Sequence, residues 1–456
     1  MPFERRTAQP ENPFASLAPD QTIAIVPEFT FDSGATIRNV PVAYKTWGVL
    51  NETGDNCMLI CHPLSRSVDV EDWWANLMGK CTLEGKGKVI DQSKFFIVSL
   101  NCMGSPYGSA SSLTTNPDTG ACYGPEFPLA TIRDDCRLHK MVLDDLGVNS
   151  VAICIGASMA GMHAFEWTFF NDKQGSAFVK SIVPISAPAK SSAWSMSWTE
   201  AQRQSIFADP KYLDGYYSLK APPLQGMTAA RMTAMLTYRT RDSYERRFGR
   251  DIMPSDSSSD QAATTGPISS SEIHRRNHNE GHRNQGCVVS APSSSTIHIQ
   301  TPTPGGSPRP SDASHSSPSN TTTTSNTAYQ PQIYSTHSYL RYQAAKFNER
   351  FDANCYIALS RKMDAHDVSF NRGDYEDVVR SIKQPIKAMC DLLPNGQHFA
   401  VNTAEGHDGV LLEYEQINDA IVDFMQRQEH IQDLVRREGV AVPEKSAPRG
   451  SLFASW

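Results

Sequence analysis

Val151-Ala-Ile-Cys-Ile-Gly-Ala-Ser-Met-Ala-Gly-Met162 starts as five apolar residues, turns through Gly156-Ala-Ser158, and passes over small residues into the helix-like run Met162-His-Ala-Phe-Glu-Trp-Thr-Phe-Phe170. A strand that bends sharply into a helix projects the residue at the bend, and that residue is Ser158. A serine hydroxyl is a weak nucleophile until a base takes its proton and donors stabilise the oxyanion. The bend supplies the second need, because backbone amides and a helix N-terminus face the developing charge. The strict Gly-x-Ser-x-Gly form is not met, since Ala160 stands at the second glycine position. Alanine is small enough to keep the reading. The plain alternative is a serine in an ordinary strand-to-helix turn.

Outward from this bend, short apolar runs recur at the spacing of a parallel sheet. They are Met58-Leu-Ile-Cys61, Phe95-Phe-Ile-Val-Ser-Leu100, Val179-Lys-Ser-Ile-Val183, Ile386-Lys-Ala-Met389 and Phe399-Ala-Val401. Near-continuous apolar strands are what a sheet covered on both faces requires. Between them, Thr131-Ile-Arg-Asp134 is a capping-box start. Leu138, Met141, Val142 and Leu146 then supply a buried stripe, and Gly147 is placed to end the helix. The expected class is α/β, with a mostly parallel sheet.

One region breaks the alternation. Residues 254–331 are rich in Ser, Thr, Pro and Asn, as in Ser290-Ala-Pro-Ser-Ser-Ser-Thr296 and Ser316-Ser-Pro-Ser-Asn-Thr-Thr-Thr-Thr324. Such a composition cannot bury enough apolar surface to offset its ordering entropy, so disorder is expected there. Helical patterns flank it at residues 199–207, 229–248 and 339–347. The expected organisation is a core over 20–187, a helical lid over 188–253, the low-complexity insertion over 254–331, and returning lid helices over 332–384. The core then resumes over 385–428 and a tail follows over 429–456.

Bulk properties exclude several functions. The 456 residues carry a formal net charge of −7, so there is no basic field for nucleic acid or an anionic membrane. Hydrophobic residues make up 39% of the chain, a low share that the insertion accounts for. Ten cysteines show neither Cys-x-x-Cys pairs nor a disulfide-like spacing, which reads as a reducing compartment with buried structural thiols and no metal site. The start Met1-Pro-Phe-Glu-Arg-Arg lacks a signal peptide's apolar stretch, and no window reaches a membrane span. The expected location is cytoplasmic, and the expected partners are small-molecule substrates.

The base that Ser158 needs should be a histidine on a late loop. His407, in Thr403-Ala-Glu-Gly-His-Asp-Gly409, has the right order and a turn-rich setting. His139 and His163 lie on expected helices, where packing or solvation suits them better, and His62 is read as shaping a loop. The oxyanion donors expected of such a bend are the amide after the nucleophile, Met159, and one from an early loop, Leu64 in His62-Pro-Leu-Ser65.

Taken together, the segments resemble the homoserine O-acetyltransferase family of α/β-hydrolase-fold acyltransferases. The resemblance rests on Asn101-Cys-Met-Gly-Ser-Pro-Tyr-Gly-Ser109, Asn116-Pro-Asp-Thr-Gly-Ala-Cys-Tyr-Gly124 and Phe127-Pro-Leu-Ala-Thr-Ile-Arg-Asp134, with Phe351-Asp-Ala-Asn-Cys-Tyr356 and Gly406-His-Asp408. It covers most of residues 20–250 and 335–425. Gly156-Ala-Ser-Met159, Asp209-Pro-Lys-Tyr-Leu-Asp-Gly215 and Tyr339-Leu-Arg-Tyr-Gln343 look closer still to the fungal branch that contains deacetylcephalosporin C acetyltransferase. The resemblance implies an α/β-hydrolase fold, acetyl-CoA as co-substrate, no permanently bound cofactor, and a place in amino-acid biosynthesis. It implies a ping-pong reaction in which Ser158 is acetylated and His407 then deprotonates an acceptor hydroxyl. Arg231, in Ala229-Ala-Arg-Met232, would match the arginine that holds the amino-acid carboxylate, and Asp408 the acid that meets its amine. The plain alternative for Arg231 is a surface cation on a helix. Homodimers are common in such a family.

One departure stands out. The family's acid follows a late strand, roughly thirty residues before the histidine, with a helix between them. Here Pro385-Ile-Lys-Ala-Met-Cys390 runs into Asp391-Leu-Leu-Pro-Asn-Gly396, and Asp391 is too close to His407 for an acid turn plus its helix. Asp391 is the nearest candidate for the acid; Asp364 and Asp367 precede the strand. Three functions follow: acetyl transfer to homoserine or a related hydroxyl acceptor such as serine or deacetylcephalosporin C, serine hydrolysis, or a catalytically impaired relative without its acid.

Overall fold

The apolar runs become the middle of a sheet. The computed structural model describes residues 2–81, 87–252, 269–282, 333–382, 386–387, 395–437 and 439. Among the described residues the strands are β1 Glu4–Arg6, β2 Thr22–Thr30, β3 Thr36–Trp47, β4 Cys57–Cys61, β5 Phe96–Leu100, β6 Val151–Ala157, β7 Ile182–Ile185, β8 Ile386–Lys387 and β9 Gly396–Gln397. They form one sheet in the order β1-β2-β3-β5-β4-β6-β7-β8-β9. The pairs β1–β2, β2–β3 and β3–β5 are antiparallel, and every pair from β5 onward is parallel.

The period of two along a strand sorts side chains between two cores. In β4, Cys57, Leu59 and Cys61 enter one core while Met58 and Ile60 enter the other. The helices are α1 Val70–Trp74, α2 Ile132–Asp145, α3 Met159–Trp167, α4 Ala193–Phe207, α5 Leu224–Tyr238, α6 Arg241–Phe248, α7 Ser270–His278, α8 Ser335–Asn348, α9 Ala353–Asp364, α10 Tyr375–Arg380, α11 Gly409–Leu412, α12 Tyr414–Gln426 and α13 Glu429–Arg436. Leu138 and Val142 of α2, Met162 of α3 and Leu359 of α9 fill the first core. Trp73 and Trp74 of α1, Ile421 and Phe424 of α12 and Leu434 of α13 fill the second. Thr131 closes the expected capping box on α2: its hydroxyl accepts the Asp134 N–H, and the Asp134 carboxylate accepts the Thr131 N–H at 2.9 Å.

Several boundaries differ from expectation, each for a local reason. The helix expected over 229–248 is two helices, because Arg239 adopts extended backbone and the Thr240 hydroxyl, accepting the Ser243 N–H, caps a new start at Arg241. Helix α4 starts earlier than residue 199, where Ser192 caps it. The strand expected at 399–401 is not there: β9 lies at Gly396–Gln397, and Phe399 is 39% exposed. Strands β8 and β9 run parallel although only residues 388–395 separate them. A parallel connection normally takes a dozen or more residues.

Two compact units divide the chain: Met1–Gly249 with Gln343–Trp456, and Arg250–Tyr342. Most of the stretch expected to be disordered lies outside the described residues. Within it, however, α7 is helical; Ser269 caps it and a Glu272–Arg275 pair at 2.8 Å supports its first turn. In this second unit Ile252 bridges to Tyr334, and Arg341 binds Glu280 through two bonds of 2.6 and 3.0 Å. No described cysteine forms a disulfide. No helix among the described residues is long and apolar enough to cross a membrane.

Candidate active site

The bend at the end of β6 is a strained one. Ser158 has φ 60° and ψ −127°, a region ordinarily left to glycine. The surroundings hold it there. The Ser158 N–H donates to the Ile185 carbonyl at 2.9 Å, and the Ser158 carbonyl accepts from Gly161 N–H at 2.9 Å. A Cβ at Gly156 would lie 2.1 Å from the Ala160 carbonyl oxygen, and one at Gly161 would lie 2.4 Å from the Ala187 Cβ. Both positions therefore need glycine. The second need falls at residue 161, which leaves Ala160 free to be a buried core residue.

Strand β4 lies beside β6 with Cys61 opposite Gly156, so the loop after β4 and the bend leave the sheet at the same edge. This register brings the two expected oxyanion donors, Met159 and Leu64, to one end of neighbouring strands. Among the described residues, nothing accepts a hydrogen bond from either amide. The Ser158 hydroxyl likewise has no partner among them.

His407 sits on a one-turn helix, Gly406–Asp408, just before α11. Several contacts dock this turn. Gly406, at φ 65°, lies against the Tyr238 carbonyl and Thr240, where a Cβ would come within 3.0 Å of that carbonyl. Arg239, 2% exposed as a side chain, binds Asp408 at 2.9 Å and Glu405 at 3.7 Å. The indole N–H of Trp74 donates to the Val410 carbonyl at 3.1 Å. The imidazole is half-buried and burial lowers its pKa. The structure does not bring His407 within hydrogen-bond distance of Ser158, nor any described carboxylate within reach of His407.

The acid's place is not filled by a described residue. Asp391 lies outside the described residues. Asp364 is bound to Arg203 at 2.7 Å and to Thr199, while Asp367 binds Lys190 at 2.9 Å. His139 and His163 are packed, as their helical positions suggested: His163 binds Asp135 at 2.9 Å, and His139 donates to the Asn101 carbonyl at 3.2 Å.

Arg231 is not a surface cation. It is buried, its guanidinium lies 4.6 Å from the Phe347 ring centre and 5.2 Å from that of Tyr238, and its Nε has no hydrogen-bond partner among the described residues. It forms no ion pair with any of them. A buried guanidinium without an ion-pair partner is costly unless an anion arrives to meet it. Asp408 faces this group electrostatically. Burial raises the Asp408 pKa, with Arg239 and Arg231 opposing the rise. One Asp408 oxygen is taken by Arg239, and Oδ1 accepts no bond from a described residue.

Two cations here were not foreseen from sequence. Arg66, in the loop after β4, is fully buried; burial and the nearby Arg350 push its pKa down to about 10. Arg350 shares the Phe347 ring with Arg231, at 5.5 Å from its centre. Nothing in the spacing of charged residues marks Arg66 as buried or Arg350 as half-buried. Only their places, two residues past Leu64 and just before Phe351-Asp352, hint at the site.

Residues 57–274 match the α/β hydrolase fold family. The chain is 46% identical over 449 residues to the homoserine O-acetyltransferase of Emericella nidulans, covering 92% of this chain and 90% of that protein. It is 44% identical over 447 residues to the homoserine O-acetyltransferase of Saccharomyces cerevisiae, with 91% and 88% covered. Among solved structures it is similar in fold to a homoserine O-acetyltransferase from Bacillus anthracis (TM-score 0.65, 18% identity, 90% and 98% covered). Esterase E22 is similar in the same sense, with a TM-score of 0.62, 20% identity, and 89% and 99% covered.

Proposed function

The chain belongs to the homoserine O-acetyltransferase family of α/β-hydrolase-fold enzymes, which are acyltransferases, and from that footing we propose that it moves an acetyl group from acetyl-CoA to the hydroxyl of L-homoserine by way of an acetylated Ser158. In the first half, Ser158 Oγ adds to the thioester carbonyl as its proton passes to His407. The oxyanion is met by the amides of Met159 and Leu64. The C–S bond breaks and CoA leaves as the thiol, carrying that proton. In the second half, the homoserine hydroxyl gives its proton to His407 and attacks the ester, and Ser158 is released with the proton restored.

The observation that carries this reading is buried Arg231, whose Nε has no hydrogen-bond partner and which forms no ion pair among the described residues. A hydrolase that uses water needs no such cation, whereas an amino-acid acceptor brings the carboxylate that a guanidinium fork takes. Asp408 Oδ1 then takes the ammonium. The likeness to the deacetylcephalosporin C branch makes serine and deacetylcephalosporin C the acceptors to compete against homoserine.

A slowed enzyme is the second reading. It is favoured by the short stretch between β8 and β9, which leaves Asp391 too close to His407 in sequence for an acid turn plus its helix. Losing a triad acid costs roughly four orders of magnitude in turnover. The deciding experiment incubates the protein with acetyl-CoA labelled in the acetyl group. Label on Ser158 that homoserine discharges and water does not is expected, and Ser158→Ala should retain none. Thioester hydrolysis at the same rate without any acceptor would make the protein a hydrolase. A folded protein whose Ser158 ignores a fluorophosphonate would be a non-catalytic relative.

A further inference from the structure

His62 directly follows β4 and is buried, with no role in the steps above. Its two ring nitrogens have opposite partners. Nε2 lies 3.1 Å from the Cys102 N–H, which can only donate, and Nδ1 lies 3.0 Å from the Pro63 carbonyl, which can only accept. The ring is therefore the neutral tautomer with its proton on Nδ1. Burial, with His163 and His139 nearby, pushes its pKa down to about 3, so the tautomer persists at neutral pH.

The Pro63 carbonyl is one half of the peptide unit whose other half is the Leu64 N–H. That unit is planar and trans, so fixing the C=O direction fixes the N–H on its opposite side. Two donors fix it: His62 Nδ1–H, and the Arg66 N–H at 3.0 Å. The Arg66 bond closes a local turn, which a loop keeps only as well as its own residues hold it. His62 ties the same carbonyl to Cys102, in the loop that follows β5.

We infer that His62 is a positioning residue for the oxyanion hole, locking the Pro63–Leu64 peptide plane so that the Leu64 amide points at the carbonyl oxygen undergoing attack. The inference rests on the reading of Leu64 as an oxyanion donor. An oxyanion donor acts only if its direction is set before the charge develops, and a proton-donating ring wedged between two loops sets it without touching substrate.

The test uses the full chain and p-nitrophenyl acetate, whose acetyl group acylates Ser158 while releasing a coloured phenol, followed in the first turnover. His62→Gln keeps an acceptor for the Cys102 N–H but removes the donor at the δ position. It is expected to slow acylation about 10- to 100-fold, within the range for loss of one oxyanion donor, with KM for the ester and the thermal midpoint near wild type. His62→Asn places an N–H at the δ position and is expected to recover most of the rate. Equal acylation rates in wild type and His62→Gln would overturn the inference. So would a rate loss in His62→Gln that His62→Asn fails to restore while the thermal midpoint stays unchanged. A wild-type chain that shows no acylation burst would overturn the acyl-transfer reading itself, and this inference with it.

Discussion

Arg231 concentrates what one residue contributes here. Its guanidinium lies 4.6 Å from the Phe347 ring centre and 5.2 Å from that of Tyr238, contacts that do not neutralise its charge. Arg231→Met keeps the volume and the ring contacts but loses the fork. Removing one partner of a buried charge pair costs about 2 to 4 kcal/mol, so KM for homoserine is expected to rise roughly 30- to 1000-fold. The acylation of Ser158 by acetyl-CoA should change far less. Steady-state kinetics with homoserine varied would show this, and an unchanged KM would remove Arg231 from the acceptor site. At this scale the sequence was readable where chemistry needs a local shape. Ser158 and His407 are marked by the small residues around them. Arg66 is not, because a buried arginine looks in sequence like any solvated one until its neighbours are known.

The turn that carries His407 depends on helices distant in sequence. It is docked on the α5–α6 junction by Arg239, which reaches both Asp408 and Glu405. Arg239→Met would leave Asp408 buried without its cation, and breaking such a pair typically costs about 3 to 5 kcal/mol. A fall in the urea midpoint is expected, along with slower turnover because His407 loses its fixed place; a midpoint equal to wild type would contradict this. Elements buried on both sides, such as β4 and β6, were legible because nothing polar interrupts them. β3 was not, since it carries Lys45, which is buried against Asp69 at 2.7 Å and Glu71 at 3.5 Å. The junction at Arg239–Thr240 was missed for a different reason: no glycine or proline marks it, and the break comes from one hydroxyl cap.

For the whole molecule, the buried histidines set its response to acid. Burial pushes His62 and His366 down to about 3 and His139 to about 4. Unfolded, each would take up a proton near 6.5. Between those values the unfolded chain binds more protons than the folded one, so stability should fall as pH drops from about 6.5 toward 4. Asp135 acts in the same direction at lower pH. Burial alone would raise its pKa, but Lys362 and His163 outweigh that and hold it low, so its contribution is lost once the carboxylate is protonated. Denaturant midpoints should decline between pH 7 and pH 5, and a flat profile over that range would refute the assignment. The contacts at Gly156 and Gly161 bear on how relatives of this chain are found. A search pattern that demands glycine two places after the serine passes this chain over. One that asks for glycine two places before it and three after, with a small residue between, describes the packing the bend needs, and would gather sequences by shared geometry where spelling alone divides them.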